Sequence, residues 1–120
     1  MDHDEIRLGV PAAPEYARIA RLTVAGLATR LGFSYDEVED LRIAVGEACS
    51  VLIAERPDGR LEVVYRLGSD AMEVEATADR AVRQANGTGL SEQILDAVVD
   101  DHRIDRASGR VWLRKQRSDE

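Results

Sequence analysis

The sequence contains few of the residues that define several common protein classes. Among 120 residues there are one cysteine, one tryptophan and one phenylalanine. A single cysteine excludes an internal disulfide, which fits a reducing compartment. The scarcity of aromatic rings leaves little surface on which nucleic-acid bases could stack.

Positive charge is also scarce. Sixteen lysines and arginines stand against 23 aspartates and glutamates, for a formal net charge of -7. Binding to nucleic acid or to an anionic membrane depends on cations, so we expect neither partner. No apolar run reaches the roughly 20 residues that span a bilayer, and the acidic start MDHDEIRLGV lacks a signal-peptide core. We therefore predict a cytoplasmic protein with a single domain over residues 1–120.

Hydrophobic spacing predicts one strand followed by two helices. Alternating Ile6, Leu8 and Val10 indicate a strand with one buried face. A helix is predicted from Pro14 to about Leu31. Its apolar face is placed on Tyr16, Ile19 or Ala20, Thr23, Leu27 and Leu31. The next helix opens with a capping box formed by Ser34 and Glu37. Its core stripe is predicted to be Val38, Leu41, Val45, Ala48 and Leu52.

The second half of the chain alternates between strand and helix patterns. Residues 61–67 and 72–76 predict a β-hairpin. A helix should begin near Ser91, with its apolar face on Leu90, Ile94, Leu95 and Val98. The segment RVWLRKQ predicts a last strand whose cationic end is a solvated sheet edge. The order β-α-α-β-β-α-β favours an α+β two-layer sandwich, with helices on one face of a mostly antiparallel sheet.

One carboxylate lies inside the apolar run DLRIAVGEACSVLI. Glu47 is either an edge residue that reaches solvent or an arginine, or a functional group that orients a nucleophile or a hydrated metal ion. Neighbouring Cys49 is interpreted as a small buried hydrophobic residue. His3 and His102 have no nearby histidine partner, so we predict neither a zinc site nor a Cys–His pair.

A second candidate site is the segment NGTGLSEQIL. Gly87 and Gly89 precede a predicted helix, whose free N–H groups and dipole could hold a phosphate. The alternative is a flexible loop that ends in a helix cap at Ser91.

Together these segments resemble the anti-sigma-factor serine kinases of the RsbW/SpoIIAB type, in the GHKL (histidine-kinase-like) ATPase superfamily. The shorter actinobacterial anti-sigma regulatory factors are the most similar group. The resemblance is strongest from Glu15 to Ile53, which includes the E-A-C-[TS] core of the family's N-box. GTGLSEQILDAVVDD resembles its glycine box and last helix, and GRVWLRKQ its closing strand.

The resemblance implies a regulator of transcription, of the kind found in stress responses. Family members are typically dimers that hold a sigma factor of the sigma-70 family inactive. They release it when an anti-anti-sigma protein with a STAS domain binds in its place. Kinase members phosphorylate a serine on that antagonist with Mg-ATP. An arginine in the family's [FY]-A-R segment contacts both partners, and YAR places it at Arg18.

Two departures from the family pattern concern the nucleotide site. The family's catalytic base matches Glu47, but the asparagine that should hold magnesium is replaced by Val51, which offers no oxygen ligand. The family's D-x-G-x-G box corresponds to VEATADRA, which has no glycine. Alanines occupy the expected aspartate positions there, and nothing in the sequence supports Asp79 as a displaced substitute. We expect little or no kinase activity, doubtful Mg-ATP binding and no metal site.

The sequence therefore predicts an anti-sigma regulatory factor with a degenerate ATP site that works by sequestration and partner switching. An active serine kinase that uses Glu47 and the Gly87–Gly89 loop is the alternative. A non-catalytic scaffold that binds a STAS protein is a third interpretation. Nucleotide-dependent phosphorylation of a STAS partner would identify the kinase. Failure to bind any sigma factor, with a STAS partner still bound, would identify the scaffold.

Overall fold

The computed structural model describes residues 4–53, 59–79 and 89–118. These residues form five strands and three helices in the order β-α-α-β-β-α-β-β. The strands are β1 (Asp4–Pro11), β2 (Arg60–Leu67), β3 (Ala71–Ala78), β4 (Asp101–Asp105) and β5 (Arg110–Gln116). The helices are α1 (Pro14–Arg30), α2 (Tyr35–Leu52) and α3 (Leu90–Val98). No helix among these is long and apolar enough to cross a membrane.

The strands form one antiparallel sheet in the order β1-β2-β3-β5-β4. Alternate side chains of the three central strands enter the core with the helices: Leu61, Val63, Tyr65, Met72, Val74, Ala76, Val111 and Leu113. The opposite face carries charged pairs, such as Arg66 with Glu75 at 3.2 Å. This amphipathic sheet confirms the predicted α+β class, because one face is covered by helices and the other faces solvent.

β4 is absent from the predicted element order, which was wrong in this respect. The strand has five residues and lies at the edge of the sheet, paired only with β5 among the described strands. Only His102 and Ile104 are partly buried along it, while the alternate residues are exposed. An edge strand this short carries too little hydrophobic alternation to be recognised from sequence.

α2 matches its prediction in both cap and core. The Ser34 hydroxyl accepts a hydrogen bond from the Glu37 N–H at 3.1 Å, and the Glu37 carboxylate accepts one from the Ser34 N–H at 2.8 Å. All five residues of the predicted stripe are buried: Val38, Leu41, Val45, Ala48 and Leu52. The face of α2 that packs on the sheet is therefore the apolar stripe that the 3.6-residue helical period predicts.

α1 has the predicted length, and its predicted apolar face is confirmed in part: Ala20 is fully buried, and Tyr16, Leu27 and Leu31 pack against the core. The buried stripe itself consists of small residues, Ala17, Ala20, Val24 and Ala28. Ile19, the alternative to Ala20 in the prediction, is 41% exposed. Small side chains let α1 approach its neighbours closely. The hydroxyl of buried Tyr65 reaches the Ala20 carbonyl at 3.0 Å, and a Cβ on Gly46 of α2 would lie 3.1 Å from Arg21 Cδ.

The cationic end of β5 is not a solvated sheet edge, because β5 lies between β3 and β4. The Lys115 side chain is only 12% exposed; its Nζ donates to the Val98 carbonyl at 2.9 Å and lies 3.3 Å from Asp40 Oδ2. Arg117 donates from Nη1 to the Leu31 carbonyl at the end of α1, at 2.8 Å. Cations suit the carbonyl ends of helices, so these two side chains tie the last strand to α1, α2 and α3.

The capping box should make the stability of the fold sensitive to acid. Partial burial acts to raise the pKa of Glu37, but hydrogen bonds from Ser34 and Ser118 outweigh it and leave the pKa below its ordinary value. Since the folded-state pKa is lowered, the stabilisation is complete above the ordinary pKa and is lost as pH falls through the folded-state value. Glu37→Gln should lower the free energy of unfolding by about 0.5–1 kcal/mol at neutral pH. Urea denaturation of both proteins at neutral and acidic pH measures the difference in their free energies of unfolding. A difference that does not shrink at acidic pH would contradict the prediction.

Candidate functional site

Glu47 is half-buried on the side of α2 that faces α3. The Ser91 hydroxyl donates a hydrogen bond to Glu47 Oε2 at 2.6 Å. Within the described residues no arginine or lysine forms an ion pair with this carboxylate. Neither interpretation from the sequence foresaw a serine partner, because a contact between residues 44 positions apart leaves no local pattern.

The first turn of α3 begins at a glycine in a left-handed conformation. Gly89 is the N-cap residue, with φ of 78°, and its carbonyl accepts from the Gln93 N–H at 3.0 Å. This conformation favours glycine. The alternative interpretation, a helix cap at Ser91, was wrong in this respect, since the cap is Gly89 and the Ser91 side chain donates to Glu47. Gly87 lies outside the described residues.

Val51 lies one helical turn after Glu47 on α2. Its side chain is partly buried and packs against the hydrophobic core. Mg²⁺ requires oxygen ligands, and an isopropyl group provides none. The part of the chain that the structure describes also contains no group of three or more His, Cys, Asp or Glu side chains arranged for a metal. The position one turn after Glu47 therefore supplies no oxygen ligand for the magnesium of a bound nucleotide.

Asp79 is the first residue after β3. Its side chain is exposed, and its N–H donates to the Arg60 carbonyl at 3.2 Å. The alanines that we assigned to the aspartate positions have other roles: Ala76 is buried in the core, and Ala78 pairs with Leu61 inside the sheet. Asp79 is thus the first acidic residue after the third strand, and the sequence VEATADRA around it contains no glycine.

Cys49 is fully buried, as predicted for a small hydrophobic residue. Burial raises the pKa of the thiol to about 11, although the charge of Arg21 acts in the opposite direction. The thiol is therefore protonated at neutral pH and is not a nucleophile.

Arg18 lies on the exposed side of α1, away from the buried alanine stripe. It forms no hydrogen bond or ion pair with residues 4–53, 59–79 or 89–118. Two apolar side chains are exposed near it in the same helix, Ile19 at 41% and Leu22 at 57%. This combination of a free cation with exposed apolar surface was not predicted, because the sequence left open whether Ile19 or Ala20 enters the core.

The fold agrees with the comparisons with known proteins. The histidine kinase-like ATPase domain family matches residues 10–115. Serine-protein kinase RsbW of Bacillus subtilis (strain 168) is 36% identical, over 88% of this chain and 81% of the relative. RsbW of Bacillus velezensis is 33% identical over the same shares, and that of Bacillus cereus (strain B4264) is 43% identical over 66% of this chain and 51% of its own. The chain belongs to the histidine kinase-like ATPase domain family, and within it to the RsbW type.

Proposed function

We propose that this protein is an anti-sigma regulatory factor with a degenerate ATP site. It sequesters a sigma factor of the sigma-70 family and releases it when a STAS-domain anti-anti-sigma factor binds instead. The observation that carries the proposal is Val51, a partly buried aliphatic side chain one turn from Glu47. Without an oxygen ligand at this position the family's metal cannot neutralise the charge of a transferred phosphoryl group.

Sequestration depends on surface contacts and not on that chemistry. The exposed side of α1 supports this part of the proposal, because Arg18 is unpaired among the described residues and stands beside exposed Ile19 and Leu22. Arginine is enriched among the residues that dominate protein interfaces, and the buried centre of such interfaces is apolar. We place the protein in the cytoplasm and expect it to act as a homodimer, as the resemblance implies.

An active serine kinase is the alternative. Two observations favour it: Asp79 directly follows β3, and relatives 36% and 33% identical to this chain carry the name serine-protein kinase. Glu47 is also retained. The two functions differ in one measurable property, because a kinase must bind Mg-ATP and a pure binding regulator need not.

Isothermal titration of the purified protein with Mg-ATP and Mg-ADP tests the proposal. We expect no saturable binding up to about 1 mM nucleotide, a limit that corresponds to a binding free energy near -4 kcal/mol. The RsbW protein of Bacillus subtilis, titrated in parallel, is the reference for the same fold. Magnesium-dependent binding at micromolar nucleotide would contradict the proposal. Phosphorylation of a STAS partner, abolished by Glu47→Ala, would then establish the kinase.

A further inference from the structure

α3 is too short to be stable without contacts to the rest of the protein. It has nine residues, and only Leu95 is fully buried. Isolated helices shorter than about 12–15 residues are marginal in water, so tertiary contacts must supply most of the stability of α3. α2 is the helix on which it packs.

Two polar contacts hold α3 against α2, one near each end. At the start, Ser91 bonds to Glu47. At the end, Lys115 joins the Val98 carbonyl to Asp40. Asp40 and Glu47 are seven residues apart, as are Ser91 and Val98, which is about 10.5 Å along each helix. The two helices therefore run antiparallel, and the contacts lie at matching levels.

The contact at the start of α3 compensates for a weak helix end. Gly89 provides no side-chain cap. The carboxylate of Glu47 lies beside the first turn, where the helix dipole favours negative charge. A hydroxyl that donates to a carboxylate at 2.6 Å is a short, charge-assisted hydrogen bond, about twice as strong as a neutral one.

We propose that Ser91 is a positioning residue that docks the start of α3 on α2 through Glu47. The inference deepens the proposed function and rests on it for its consequence: a regulator that binds no nucleotide must hold the start of α3 through its own side chains. In this chain the carboxylate of Glu47 therefore serves as the acceptor that holds Ser91.

Amide hydrogen exchange of the full chain without nucleotide tests the inference. In Ser91→Ala we expect the amides of α3 to exchange about tenfold faster, in line with a lost hydrogen bond to a charged group. Alanine is the better helix former, so its propensity alone would slow exchange. Ser91→Thr keeps the hydroxyl and should restore protection close to that of the wild type. Ser50→Ala, at an exposed serine of α2, is the matched control and should leave exchange in α3 unchanged.

A double-mutant cycle makes the test specific to the pair. Glu47→Ala should speed exchange of α3, and adding Ser91→Ala should speed it little further, because the bond is already lost. Unchanged α3 exchange in Ser91→Ala, equal exchange in the alanine and threonine variants, or fully additive effects would each overturn the inference. Nucleotide titration of the wild type is a separate readout. Binding of Mg-ATP would overturn the proposed function, but the hydrogen-exchange test of the Ser91–Glu47 contact would still stand.

Discussion

Replacing Arg18 by alanine should weaken binding of a sigma factor by about thirtyfold or more, the loss expected for an arginine at the centre of an interface. The guanidinium is exposed on α1 and, within the described ranges, has no partner that would have to be broken. The free energy of unfolding should therefore change by less than about 0.5 kcal/mol. Titration calorimetry against purified sigma-70-family factors and STAS proteins of the same organism measures both affinities.

Arg30→Ala is the matched control for this experiment. Arg30 is also an exposed arginine of α1, but it lies in the last turn of the helix. Its removal should change partner affinity by no more than about twofold if Arg18 is the specific contact. Equal effects of the two substitutions would indicate general electrostatic attraction instead. Binding of a STAS protein without any sigma factor would support the scaffold interpretation.

Replacing Tyr65 by alanine should lower the free energy of unfolding by about 3–5 kcal/mol, which is a large part of the stability of a domain this size. Tyr65 is the largest of the fully buried side chains among the described residues. It lies in β2 at the centre of the core, and its hydroxyl donates to the Ala20 carbonyl of α1 at 3.0 Å. Burial raises the pKa of Tyr65, so the hydroxyl stays protonated and keeps this bond at physiological pH.

Tyr65→Phe separates packing from hydrogen bonding at this position. Phenylalanine keeps the ring and removes only the hydroxyl, so we expect a loss of about 1–2 kcal/mol. Denaturant unfolding of the two variants and the wild type gives both values. Similar losses of unfolding free energy in Tyr65→Ala and Tyr65→Phe would contradict this prediction, because the hydroxyl would then account for the whole loss and the packing of the ring for none of it.

The sequence predicted α2 correctly because all the relevant signals there are local. The Ser34–Glu37 box requires only residues three positions apart, and the stripe from Val38 to Leu52 follows the helical period. The β-hairpin of β2 and β3 was predicted for the same reason: alternation and a short turn define it within 18 residues. A pattern contained within one or two elements needs no knowledge of the rest of the fold.

α1 was predicted with the right length, but the sequence left open whether Ile19 or Ala20 enters the core. The structure buries Ala20, and with it Ala17, Val24 and Ala28, which were not predicted. Which face enters the core depends on how closely α2 and the sheet approach, and the contact of Tyr65 with Ala20 fixes that distance. Similarly, β4 forms because β5 offers it an edge, and not because its own sequence is strongly strand-like.

The sequence by itself determined the class of fold, the family, and the aliphatic identity of Val51 one turn after Glu47. It also singled out Glu47 as an unusual carboxylate. Only the tertiary structure decided the partner of that carboxylate, Ser91, because α3 returns to α2 after two strands. It also decided that Asp79 directly follows β3. Spacing along a chain defines which residues share one face of an element, but the packing of separate elements defines which faces meet.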